Sequence, residues 1–186
     1  MVTRLLFDLE GGLSLSSDIL QLAWIETDWD FNILSYGNEF FRNTSPIEQK
    51  ETSIHGLSQE MLWKRTEKYF QSEIPNLPLF FRDIPTQYIT YTRFDIEKTK
   101  LQALKVGIPL DFGDEVTSLR KKPKVANSFD AFLKSGKKLT DNLTNTDNVE
   151  IENVLLQLGE KSVGAHDALY DSAALLVVTK RWFNGS

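Results

Sequence analysis

Two carboxylates stand two residues apart at the end of an apolar run, Leu5-Leu6-Phe7-Asp8-Leu9-Glu10. On a strand, side chains at i and i+2 share a face, so Asp8 and Glu10 project together. Acids side by side at the mouth of an apolar strand repel, and burial raises their pKa values unless a cation offsets the charge. The pair therefore suits a divalent metal held at the end of a central strand. Taken alone, D-x-E is a common pattern, and a solvated polar strand end explains it more simply.

Two further places offer matching chemistry. Asp95 follows a β-rich run, Tyr88-Ile89-Thr90-Tyr91, and precedes Ile96, Leu101 and Leu104 at helical spacing. It falls at a strand-to-helix junction, where α/β sheets present carboxylates to ligands; a helix N-cap is the other local reading. The third place is Gly164 to Asp171, at the start of a helix rich in Ala and Leu that runs to about Trp182. His166 and Asp171 are five apart, which puts them about 140° apart on one helix. They can face one site only if His166 lies on the loop before the helix and Asp171 inside it, with Asp167 as N-cap.

The rest of the chain must position these groups. Ile19–Thr27 reads as a second strand and 31–41 as a third, with a turn at Asp28-Trp29-Asp30, making an antiparallel meander off the first. Gly11-Gly12 is a turn that would also let backbone approach a ligand closely. Ser45-Pro46 opens a loop that Ile54-His55-Gly56-Leu57 closes, and Ser58 is expected to cap a short helix. His55 reads first as a structural loop histidine. Pro75 and Pro78 keep any helix within 70–81 short. A fifth strand is expected at 108–111 and a helix at 114–120. Lys121-Lys122-Pro123-Lys124, Lys134 and Lys137-Lys138 are basic clusters, either solvated surface or a phosphate track. The polar stretch 135–148 reads as a loop, and 151–158 as an amphipathic helix ending at Gly159.

Composition sets bounds. The chain has 186 residues, 41% hydrophobic and 25% charged, as expected of one globular domain with a real core. With no cysteine, disulfides, thiolate metal sites and a Cys nucleophile are excluded. The net charge of -5 argues against coating nucleic acid through a broad basic surface. It is compatible with an enzyme that grips a few nucleotides through metals, because metal-holding carboxylates make such a chain look acidic. The N-terminus does not read as a signal peptide and no run is long enough for a membrane span, so a cytoplasmic location is expected.

The ordered set Phe7-Asp8-Leu9-Glu10, Phe94-Asp95 and His166 with Asp171 resembles the DEDDh family of metal-dependent 3′-to-5′ exonucleases. Ile54-His55-Gly56-Leu57 looks like that family's loop after strand three, and Ile19-Leu20-Gln21-Leu22-Ala23 like its strand two. The resemblance runs from about Leu5 to Trp182 and implies a single exonuclease domain over 1–186. It implies an α/β, RNase H-like fold: a central mixed five-stranded sheet, three antiparallel strands then parallel ones, flanked by helices. It also implies release of nucleoside monophosphates from the 3′ end of DNA or RNA, single-stranded DNA favoured, with two Mg²⁺ or Mn²⁺ ions per site. Asp8 would bridge both metals, Glu10 and Asp171 would hold the one carrying the attacking water, and Asp95 the second. His166 would take the proton from that water. Leu9, Gly11, Gly12, His55 and Phe94 would contact substrate.

The chain departs from the family where Gly11-Gly12 replaces the threonines after the first Glu, and where Tyr91-Thr92-Arg93 replaces the His-Asn before Phe-Asp. The resemblance admits a homodimer and a polymerase or other nucleic-acid-processing partner. The rival reading is a non-catalytic nucleic-acid-binding or scaffold module on the same fold.

Overall fold

The computed structural model describes residues 3–82, 84, 86–112, 117–118, 139, 143–161 and 164–183. Strand β1 (Thr3–Gly11) lies at the centre of the sheet. It pairs antiparallel with β2 (Ile19–Thr27), which pairs antiparallel with β3 (Ile33–Phe40). On its other side β1 runs parallel to β4 (Thr86–Thr90). Beyond β4 lies only a two-residue ladder, β5 (Thr117–Ser118), parallel to Ile89 and Thr90.

The alternation of β1 divides the core. Leu6 packs into one cluster with Ala23, Ile25 and the helices at the C-terminal end of the chain. Leu5 and Phe7 pack into another with Trp24, Phe41 and Phe70. Asp8 and Glu10 continue the Leu6 face by the two-residue period of a strand. That face is covered by α6 (Ala168–Phe183), whose Ala173, Ala174, Leu175 and Val177 are all buried. Each such Leu or Val contributes about 1.5–3 kcal/mol on burial, so the helix is held by its apolar wall. Polar bonds set its register: Gln21 in β2 donates to Asp167 (2.9 Å) and accepts from the Ala168 amide (3.2 Å). The Ser172 hydroxyl donates to the Ala23 carbonyl at 3.0 Å. Helix α5 (Asn145–Gln157) packs on α6 and is tied to it by Arg181, which donates to both Asp147 carboxylate oxygens at 2.7 Å.

On the opposite face the chain forms α1 (Gln49–His55), α2 (Gln59–Arg65), α3 (Phe70–Glu73) and, after β4, α4 (Arg93–Leu104). Ser58 caps α2 as expected, accepting from the Met61 amide at 3.2 Å. The prolines limit α3 to one turn plus a 3-10 turn at Ile74–Asn76.

Several expectations need correction. The 108–111 stretch forms no strand; Leu110 and neighbouring Phe112 instead join the core as coil. Where a helix was expected over 114–120, Thr117 and Ser118 are strand, and the other positions lie outside the described residues. The third strand starts at Ile33, because Phe31 turns with a φ of 65°. The loop before Gly56 contains α1, nucleated by a capping box between Glu48 and Glu51. Helix α5 begins six residues earlier than expected, because Thr144 and Asp147 form a second capping box within the stretch read as loop. The three basic clusters lie outside the described residues.

Candidate active site

The C-terminal end of β1, the start of α6 and the start of α4 converge. Asp167 caps α6, its carboxylate accepting from the Leu169 (3.0 Å) and Tyr170 (3.3 Å) amides. His166 is thereby left on the preceding loop with a φ of 67°, after Gly164 at 83°. Asp171 sits one turn into the helix, its amide bonded to the Asp167 carbonyl at 2.9 Å. This is the arrangement that the spacing of His166 and Asp171 requires. Glu10, His166 and Asp171 each offer one ligand atom, all within 4.8 Å of one another.

Asp8 is the electrostatic centre. Its carboxyl is pushed well above the ordinary range, first by burial, then by the charges of Asp95, Asp171, Glu10 and Asp167. Asp95 is buried in the first turn of α4 and is pushed up to about 7, chiefly by burial. It is not the cap of that helix: Thr92 holds the position, accepting from the Phe94 amide at 3.2 Å. The fold thus gathers all five expected residues at one end of the sheet.

Two cavities open here and share Leu9, Glu10 and Leu13 as a common wall. One, of about 280 Å³, is lined by Asp8, Tyr91, His166, Asp171 and Ile54. The other, of about 310 Å³, is lined by Gly11, Gly12, Phe94 and Lys98. Four of the five expected substrate contacts, Leu9, Gly11, Gly12 and Phe94, therefore face a cavity. His55 does not: it is buried, its Nδ1 accepting from the Leu57 amide at 3.0 Å, while the preceding Ile54 lines the wall.

The glycine departure has a steric cause. A β-carbon on Gly11 would lie 2.3 Å from the Asp18 carbonyl oxygen, and one on Gly12 would lie 2.3 Å from the Ser17 side chain. The two limbs of the β1–β2 turn approach too closely for threonine at either place.

Sequence reasoning missed Lys98. Leu101 and Leu104, whose spacing marked the helix, are 36% and 61% exposed. Beside Ile96 and Ala103, the helix buries the polar Asp95, Lys98, Thr99 and Gln102. Those positions stand at i, i+3, i+4 and i+7, so a polar stripe at helical spacing was the signal available.

A cluster of carboxylates raised by burial and mutual repulsion is what a hard divalent cation relieves, and its oxygen donors suit Mg²⁺ or Mn²⁺. The residues present therefore fit such ions. Because Asp95 has a native pKa of about 7, above its unfolded value, the native state binds its proton more tightly between about pH 4 and pH 7, and Asp8 is raised in the same direction. The stability Asp95 contributes is full below about pH 4 and is lost as pH rises through about 7. His55, lowered from 6.5 by burial, opposes this on the acid side. Millimolar Mn²⁺ is expected to raise the Tm by about 5 °C or more at pH 8 and by less at pH 5.5. Calorimetric scans at both pH values check this, and an absent or pH-independent shift would count against a metal site.

No family model matches the sequence, and no curated protein matches it. Solved structures do. The zinc-bound complex of E. coli exonuclease I with single-stranded DNA aligns with a TM-score of 0.66 and 18% identity, covering 97% of this chain and 40% of that one. Exonuclease X in complex with 5′-overhanging duplex DNA aligns at 0.53 and 17%, covering 100% and 94%. The nuclease domain of 3′hExo, a DEDDh family member bound to rAMP, aligns at 0.56 and 13%, covering 100% and 92%. The chain thus has the fold of DEDDh-type exonuclease domains and spans about two fifths of the length of exonuclease I.

Proposed function

We propose that the chain is a single DEDDh exonuclease domain over 1–186 that removes nucleoside monophosphates from the 3′ end of nucleic acid, preferring single-stranded DNA. The observation that carries this reading is the convergence of Glu10, His166 and Asp171 within 4.8 Å beside the raised carboxyl of Asp8. The shared fold supports it, since the aligned exonuclease I and exonuclease X structures hold DNA.

Asp8, Glu10, Asp95 and Asp171 would hold two divalent ions, Mg²⁺ or Mn²⁺. Bound there, such ions stabilise charge on the phosphate and lower the pKa of water. His166, on a loop at the cavity edge, takes the proton from the attacking water, a role that an imidazole suits. The water oxygen bonds to phosphorus, the bond from phosphorus to the 3′ oxygen breaks, and that oxygen takes a proton from solvent. Leu9, Gly11, Gly12 and Phe94 wall the space beside the carboxylates for the terminal nucleotide.

Chromatography of the products of an oligonucleotide digest tests the reading. Nucleoside 5′-monophosphates appearing with Mg²⁺ and absent with EDTA are expected. Oligonucleotide fragments as first products, or none at all, would refute it.

A further inference from the structure

The β1–β2 turn is gripped from beneath by one face of α4. Lys98 is 1% exposed, and its ammonium donates to the Gly12 carbonyl and to the Ser17 hydroxyl (3.0 Å). One turn on, Gln102 donates to the carbonyls of Ser17 (2.8 Å) and Leu15 (3.2 Å). Lys105 donates to the Ser16 carbonyl at 2.8 Å. From the other side Glu51 of α1 accepts from the Leu13 amide at 3.0 Å. Positions 98, 102 and 105 form one stripe of a helix, so the turn is clamped along its length by the helix that carries Asp95.

A buried lysine needs a reason. Its desolvation is costly and lowers its pKa to about 8. An apolar residue would fill the same space more cheaply. What the ammonium gains is a direct hold on Gly12, whose neighbour Leu13 separates the two cavities and whose own backbone lines one of them. Glycines leave a turn conformationally free, and the close approach at Gly11 and Gly12 excludes the side chains that would stiffen it. Glu10 has its own anchor, since it pairs with Gln21 in the ladder before the bulge at Glu10/Gly11. The clamp's hydrogen bonds therefore act on the cavity wall, while the Lys98 charge also reaches Asp95 and, against the larger effect of burial, lowers its carboxyl pKa.

We propose that Lys98 is a positioning residue that fixes the Gly12–Leu13 wall of the nucleotide cavity, and so governs substrate affinity. This rests on the proposed nuclease function. The test compares Lys98→Met and Lys98→Arg with the unaltered chain, each checked for folding by a thermal melt. The readouts are kcat and KM on a single-stranded oligonucleotide and, independently, fluorescence anisotropy of a labelled oligothymidylate with Ca²⁺ present. Lys98→Met is expected to raise KM and the oligonucleotide Kd about tenfold or more, with a smaller loss in kcat. Lys98→Arg is expected to restore most of the affinity, because guanidinium keeps the charge and the donors. A folded Lys98→Met chain with unchanged KM and Kd overturns the role of Lys98 and leaves the nuclease reading standing. A wild-type chain that neither binds nor cleaves the oligonucleotide overturns both. Binding that Lys98→Met weakens, in a chain that never cleaves, overturns only the nuclease reading.

Discussion

Asp8→Asn is expected to lower the hydrolysis rate roughly a thousandfold or more while the fold survives. Asp8 lies at the centre of the acidic cluster, on the strand in the middle of the sheet, with Asp95, Asp171 and Glu10 all acting on its charge. Asparagine keeps the shape and removes the negative charge that a divalent cation would bind. Charge stabilisation by such a cation contributes several kcal/mol to phosphodiester hydrolysis, and each 1.36 kcal/mol is a factor of ten in rate. Stability should move the other way. In the metal-free protein at pH 8 the substitution removes repulsion, so the Tm should stay level or rise. Added Mn²⁺ should then raise it less than in the unaltered chain. Rates and melts on the same preparations check both halves. A variant cleaving within tenfold of the unaltered chain would remove Asp8 from the mechanism.

His166→Ala is expected to lose roughly 10²–10⁴-fold in rate, the range of a general base, while Mn²⁺ binding persists. The structure makes the second half of this a real test. A ring nitrogen of His166 lies within 4.8 Å of ligand atoms of Glu10 and Asp171, near enough to be a ligand itself. Calorimetric titration with Mn²⁺ separates the roles: retained affinity with lost rate marks a base, and lost affinity marks a ligand. The backbone at His166 gives a second handle. Its φ of 67° is a left-handed conformation, and a non-glycine residue held there costs of order 1–3 kcal/mol. His166→Gly should therefore be at least as stable as His166→Ala and equally slow.

These residues were legible in the sequence because their geometry is periodic. The two-residue repeat of a strand put Asp8 and Glu10 on one face. The 3.6-residue repeat of a helix forced His166 off the helix that holds Asp171. Strand β2 was read to its ends because all nine residues are buried and mostly apolar. The reading failed where burial is polar or local. Helix α1 buries only His55 and is started by a Glu48–Glu51 capping box, so it carries no apolar stripe to read. Helix α5 starts with another such box, in a stretch whose polarity looked like a loop. Helix α4 packs Ile96 and Ala103 into the core but also turns Lys98 and Gln102 inward against the β1–β2 turn, and it leaves Leu104 exposed. The Lys98 clamp was missed for the same reason: a polar stripe on a helix reads as surface unless its partners are known.

The most direct test of the proposed site is digestion of a 5′-labelled single-stranded DNA and an RNA of the same sequence, with Mg²⁺, with Mn²⁺ and with EDTA. The expected result is a ladder that shortens from the 3′ end with either metal, is absent in EDTA, and advances faster on DNA. Intact label under all conditions, or cleavage that persists in EDTA, would contradict a metal-dependent exonuclease built on Asp8, Glu10, Asp95, His166 and Asp171.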